Sequence, residues 1–101
     1  MPITSSISAD GSEAVIVVEG RFDFSLQIPF RQAYESIANK PKRFRIDMGS
    51  ASYLDKSALG MLLLLRDFAG GNSADVAIVN SNADVRGALQ RANFDKLFTI
   101  S

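Results

Sequence analysis

The sequence predicts a single α/β domain, with a mixed β-sheet, an N-terminal hairpin and about three helices packed on the sheet. Segments with strand patterning alternate with segments of helical periodicity after the first two strands, as in α/β domains. Asp10-Gly11 offers a tight turn between those two strands. A chain of 101 residues that is 47% hydrophobic can form one core and is too short for two. We therefore treat residues 1–101 as one domain.

The N-terminal part of the chain contains the hairpin and the first helix. Ile3, Ser5 and Ile7 would share one strand face, and residues 14–18 form a largely β-branched run. Apolar side chains then recur at helical spacing and predict a helix over about 27–39, with Pro29 tolerated in its first turn.

The remaining elements are predicted from the same patterns. They are a strand at 44–48, a loop at 49–52, a helix at roughly 57–69 closed by Gly70-Gly71-Asn72, a strand at 74–79, a helix carrying Val85, Ala88, Leu89 and Ala92, and a strand at 97–100. With so few helices, we expect one face of the sheet to be poorly covered.

The second predicted helix carries more apolar residues than one core face needs. The core stripe consists of Ala58, Met61, Leu62 and Leu65. Leu59, Leu63 and Leu64 fall outside it, and either widen the buried face or, for Leu59 and Leu63, form an apolar patch for a partner. Gly60 is a poor helix former, and its missing side chain would allow a close approach by the sheet or by a partner.

Composition excludes several classes of function. Eleven basic and eleven acidic residues give no net charge that would favour nucleic acid or an anionic membrane. The absence of Cys and His removes thiol nucleophiles, imidazole bases and most zinc sites, so we predict no enzyme, cofactor or metal. No leader or membrane span is recognisable, so we expect a soluble, cytoplasmic protein.

Ser57 is the leading candidate for a functional residue. It lies where a loop becomes the second helix, directly before the apolar run. A phosphate there would bring roughly two negative charges to a helix N-terminus and change what can dock beside it. Its structural alternative is a capping or first-turn serine, and Asp55 could provide the cap equally well.

Asp23 is the second candidate, because it follows an early strand at the edge where α/β crevices form. It could cap a turn, or meet a basic group on a partner. Together with Asp47 and Asp55 it could also hold Mg²⁺, although three carboxylates scattered over a small domain are usually unrelated.

The segment from Leu54 to Gly60 resembles the STAS domain family, specifically the small bacterial anti-sigma factor antagonists. Their motif commonly reads Asp-Ser-Ser/Thr-Gly-Leu-Gly, which places Ser57 at the acceptor position. Gly20-Arg21-Phe22-Asp23 resembles the family's Gly-x-x-Asp turn, and residues 44–48 and 93–98 resemble its central strand and closing segment. Lys56 and Ala58 depart from the small residues usual there, which affects the choice of kinase or partner.

The resemblance implies a partner-switching protein. Unphosphorylated, it would bind an anti-sigma factor that is also a serine kinase. Phosphorylation of Ser57 would release that kinase, and a serine phosphatase would restore binding. The contact surface would include Asp23, Asp55, Lys56, Leu59, Gly60 and Leu63 beside Ser57.

Two other hypotheses remain open. One is a STAS binding module that needs no phosphorylation, such as an accessory subunit of a lipid-transport ABC assembly. The other is a small carboxylate-dependent enzyme, for which no convincing nucleophile and base pair can be assembled from this composition. The sequence identifies neither the oligomeric state nor the response controlled.

Overall fold

The computed structural model describes residues 2–37 and 40–101. In chain order, the strands and α-helices are β1 (Ile3–Ile7), β2 (Glu13–Phe22), α1 (Gln27–Glu35), β3 (Arg43–Leu54), α2 (Lys56–Ala69), β4 (Val76–Val79), α3 (Ala83–Arg91) and β5 (Thr99–Ile100). Short 3₁₀ helices lie at Phe24–Leu26, Gly71–Ser73 and Phe94–Lys96. The predicted fold class, a small α/β domain with a mixed sheet and three α-helices, is confirmed.

The five strands form one sheet in the order β1-β2-β3-β4-β5. β1 and β2 are antiparallel and form the predicted hairpin, whereas β2 to β5 are parallel. Asp10 accepts hydrogen bonds from both Ser8 and Ser12 at the hairpin turn, and Gly11 there has a positive φ of 76°.

One face of the sheet is buried along β2, β3 and β4, and the opposite face is not. On β3, Phe44, Ile46 and Met48 are at most 1% exposed. Val15 and Val17 of β2 point to the opposite face and are only half buried. The core therefore lies on a single side of the sheet.

β3 is much longer than predicted, because residues 49–52 are part of the strand and not a loop. They were predicted as a loop because a cluster of glycine and serine between patterned segments is typical of loops. Pairing with β2 overrides this preference. The register shifts twice, between Val17 and Glu19 and between Gly20 and Arg21, and the positive φ of Gly20 (77°) suits such an irregularity.

α1 is shorter than predicted, ending at Glu35 instead of residue 39. Ile37 lies beyond the helix and still packs against the core, so its apolar spacing reflected burial rather than continued helix. Residues 38 and 39 lie outside the described residues. The flanking strands β4 and β5 are also shorter than the predicted ranges.

α2 matches the prediction closely, since Ala58, Met61, Leu62 and Leu65 are all buried. The helix ends at Ala69, and the C-cap residue Gly70 has a φ of 128°, a conformation that favours glycine. Because β2 and β3 are parallel neighbours, their carboxyl ends meet at one edge of the sheet, where Phe22 pairs with Leu54. The first residues after both strands are therefore brought side by side.

Candidate functional site

Ser57 is the second residue of α2, and it does not cap the helix. Asp55 is the N-cap: its Oδ1 accepts a hydrogen bond from the Ala58 amide at 3.0 Å. The Ser57 hydroxyl donates to the same oxygen at 2.6 Å. Both aspartate and serine are half buried. Asp55 therefore stabilises the start of the helix and orients the Ser57 hydroxyl at the same time.

A cleft of about 540 Å³ opens beside Ser57, between the end of β3, the start of α2 and the second half of α3. Its lining residues are Tyr53, Leu54, Asp55, Lys56, Ser57, Leu59, Ala88 and Arg91. A smaller hollow of about 370 Å³ adjoins it along α3, and Arg91 lines both. Ser57 therefore borders a concave surface that has a charged rim and an apolar wall.

The cleft gathers Asp55, Lys56, Ser57 and Leu59 from the predicted site. Leu59 is half buried and packs against the core, so it contributes both to stability and to the cleft wall.

Leu63 and Gly60 lie outside that lining on exposed parts of α2. No atom lies within 4 Å of where a Gly60 side chain would begin, so a close approach by the sheet does not explain this glycine.

Asp23 occupies a separate turn at the end of β2. It caps the short 3₁₀ helix, accepting hydrogen bonds from the Ser25 amide (3.0 Å) and hydroxyl (2.6 Å). These bonds, with Arg21 3.6 Å away, hold the pKa of Asp23 below its usual value. The Asp55 amide donates to the Phe22 carbonyl at 3.3 Å, so the two aspartate turns are adjacent but independently bonded.

The structure shows an apolar surface that sequence patterning missed. Phe24 and Ile28 are 66% and 67% exposed, and Leu64 of α2 is 53% exposed. Ile28 and Leu64 line a groove of about 180 Å³ between α1 and α2. The spacing of four residues between Phe24 and Ile28 could have predicted that the two side chains lie on one face of a helical segment. The proximity of Ile28 to Leu64 results from the packing of α1 against α2.

The magnesium hypothesis receives no geometric support. Asp47 accepts a hydrogen bond from the Gly49 amide at 2.8 Å, while Asp23 and Asp55 bond within their own turns. Within residues 2–37 and 40–101, no group of three acidic side chains is placed to hold a metal ion. None of the helices in these ranges is long and apolar enough to cross a membrane.

Comparison with known proteins identifies the family. Residues 5–99 match the family model described as "Mlab, STAS domain". The STAS-domain containing protein PA14_20770 of Pseudomonas aeruginosa is 52% identical over 101 residues, which cover all of both chains.

Solved structures show the same fold at low sequence identity. An anti-sigma factor antagonist from Mycobacterium paratuberculosis superposes with a TM-score of 0.79 at 21% identity, covering 97% of this chain and 84% of its own. The STAS domain of a SulP transporter from Vibrio cholerae gives a TM-score of 0.70 at 18% identity, covering 95% and 77%. With its motif, sheet order and nearly complete match to the family model, this chain belongs to the STAS domain family.

Proposed function

We propose that this protein is a cytoplasmic anti-sigma factor antagonist that acts by partner switching. In its unphosphorylated form it binds an anti-sigma factor that is also a serine kinase. The kinase phosphorylates Ser57 and is released, and a serine phosphatase restores the hydroxyl. The protein itself catalyses nothing and needs no cofactor.

The observation that carries this proposal is the setting of the Ser57 hydroxyl. It is bonded to Asp55 at the start of α2, and it lines an open cleft instead of being enclosed in the core. A helix N-terminus tolerates an added phosphate, because its unpaired amides and dipole favour negative charge. A protein bound over the cleft would have to desolvate that phosphate, so affinity falls after modification.

The chemistry requires only a nucleophile from this chain. Ser57 Oγ attacks the γ-phosphorus of ATP held by the kinase, the bond to the β–γ bridging oxygen breaks, and ADP leaves. The hydroxyl proton passes to a base on the kinase or to Asp55. Hydrolysis by the phosphatase returns serine and inorganic phosphate.

The proposed contact surface surrounds the cleft. Leu59 and Lys56 come from its lining, with Asp23 on the neighbouring strand end. Gly60 and Leu63 continue the surface along α2, and the latter is 38% exposed. Apolar side chains with a charged rim are typical of regulated protein interfaces.

The test combines phosphosite mapping with binding. Mass spectrometry of the protein from its native cells should find phosphate on Ser57, removable by phosphatase. The copurified kinase should bind Ser57→Ala like the unmodified protein and Ser57→Asp at least tenfold more weakly, a change of about 1.4 kcal/mol. Ser73→Asp, with the same charge beyond the other end of α2, is the matched control and should bind normally. Equal affinity of Ser57→Ala and Ser57→Asp would contradict the proposal.

A second candidate is a phosphorylation-independent STAS module, such as an accessory subunit of a lipid-transport ABC assembly. The match to a family model named for Mlab favours it, as does the fold shared with a transporter's STAS domain. Copurification with an ATPase subunit, with Ser57 unmodified under every growth condition, would support this alternative against the first.

A further inference from the structure

Two basic side chains that line the Ser57 cleft form no ion pair with a carboxylate among the described residues. In the described part of the chain, the ion pairs join Arg21 to Asp23, Arg31 to Glu35, and Arg43 and Arg45 to Glu13. Lys56 and Arg91 belong to none of them, although both border the cleft.

Arg91 also lacks the side-chain hydrogen bonds that the other two arginines of the second half of the described chain make. Arg66 donates to the Leu97 carbonyl and to Asn72, and Arg86 donates to the Ser81 carbonyl. Among residues 2–37 and 40–101, Arg91 finds no partner for a side-chain hydrogen bond. All five guanidinium donors are therefore free for another group.

The Arg91 guanidinium lies over Gly87, one helical turn earlier in α3. A Cβ atom added at Gly87 would lie 3.1 Å from Nη1 of Arg91. The side chain thus lies back along α3, as helical side chains do, over the space that glycine leaves. It stays beside the cleft without being anchored, so it can turn towards a new partner there.

Phosphorylation of Ser57 would add negative charge that a nearby cation could neutralise. The modified Ser57 no longer has the hydroxyl hydrogen that Asp55 accepts at 2.6 Å, so that hydrogen bond is lost. Roughly two negative charges then stand beside the aspartate, and like charges at this distance repel. The dipole of α2 offsets only part of this repulsion.

We propose that Arg91, assisted by Lys56, binds the phosphoryl group on Ser57 and so forms an intramolecular phosphate site between α2 and α3. This inference rests on the proposed function, since it concerns the phosphorylated form of the same serine. The planar guanidinium suits phosphate because it can donate two parallel hydrogen bonds, whereas Lys56 acts as a point charge.

The consequence is a second effect of phosphorylation besides added charge. Arg91 drawn to Ser57 would tie the end of α3 to the start of α2 and fill the cleft. Leu59 and Ala88 of the cleft wall would then be covered. The phosphoprotein would lose the concave surface itself, and the paired phosphate would be harder for a phosphatase to reach.

The experiment is a ³¹P NMR pH titration of the full chain carrying phosphoserine at position 57, introduced by genetic encoding. The second ionisation of phosphoserine has a pKa of about 6, and a neighbouring cation lowers it. We expect Arg91→Gln to raise this pKa by about half a unit or more and Arg91→Lys to raise it less. Lys42→Gln removes one charge at the opposite end of β3 and should leave it unchanged.

Equal phosphate pKa values in the unsubstituted protein and Arg91→Gln would overturn the inference. So would an equal rise in Lys42→Gln, since it would show a general charge effect. Because phosphoserine is installed directly, the titration does not depend on any kinase. Failure of the proposed function appears instead as unmodified Ser57 in cells, so the two failures are distinguishable.

Discussion

Two turns of the molecule have nearly the same local chemistry and different surroundings. In Asp23-Phe24-Ser25 and in Asp55-Lys56-Ser57, an aspartate comes after a strand and accepts a hydrogen bond from a serine two residues later, at 2.6 Å in both. The two strands are paired neighbours, so both turns lie at one edge of the sheet.

The turns differ in the helix that each one starts. Asp55 caps the 14-residue α2 by bonding the amide three residues on, whereas Asp23 bonds the amide two residues on and starts a 3₁₀ helix of three residues. Ser57 is half buried and lines a cleft, and Ser25 is exposed. The aspartate and serine are common to both turns, so the long helix and the cleft are what distinguish the proposed acceptor site at Ser57.

The largest expected difference between the turns is in phosphorylation. Incubation with the cognate kinase and radiolabelled ATP should label the unsubstituted protein and Ser25→Ala equally. Ser57→Ala should lose essentially all label, because of these two serines it is Ser57 that combines an oriented hydroxyl with the proposed docking cleft. Strong residual label in Ser57→Ala that disappears in the double variant would show that the local turn is sufficient.

The second largest difference between the two turns is expected in their contribution to folding stability. Asp55→Ala removes the cap of α2 and should lower the free energy of unfolding by about 1–2 kcal/mol in urea denaturation. Asp23→Ala should cost less, since its short helix contributes fewer buried contacts. Equal losses would mean that the two caps contribute equally to the free energy of unfolding.

The residue three positions after each serine offers a third comparison. It is Gly60 after Ser57 and the exposed Ile28 after Ser25. Gly60→Ala meets no atom within 4 Å and should raise stability by up to about 1 kcal/mol, through better helix propensity. If a partner approaches closely there, the same variant binds it more weakly.

If Gly60 lies in the contact surface, Gly60→Ala should therefore raise the melting temperature and lower the affinity for the partner. The control is Ala69→Gly at the end of the same helix, which should lower stability without affecting binding. If Gly60→Ala binds the partner with unchanged affinity, Gly60 is not part of the contact surface.

The smallest effect concerns pH. The pKa of Asp23 is lowered by Ser25 and Arg21, so its carboxylate stabilises the fold above the ordinary pKa of 3.8. That contribution is lost as the pH falls through the lower, folded value. Asp23→Asn should therefore melt slightly earlier at pH 6, and its melting temperature should change less than that of the unsubstituted protein as the pH drops below 4. Parallel curves would contradict this role.

Local sequence patterns predicted an element correctly where residues close together in the chain determine that element. The stripe from Ala58 to Leu65 predicted α2 because its period places these residues on one buried face. The Asp-Gly turn likewise predicted the β1-β2 hairpin. Patterning failed at residues 49–52, where pairing with β2 extends a strand that glycine and serine disfavour. It also failed at residue 37, whose burial was mistaken for helix.

By itself, the sequence determined the fold class, the second helix and the candidate acceptor Ser57, because each depends on residues close together along the chain. Only the tertiary structure decided which groups surround that serine. Arg91 lies 34 positions after Ser57, yet both line one cleft because α3 packs beside the end of β3. Such contacts depend on how distant elements pack, and no periodicity within either segment encodes them.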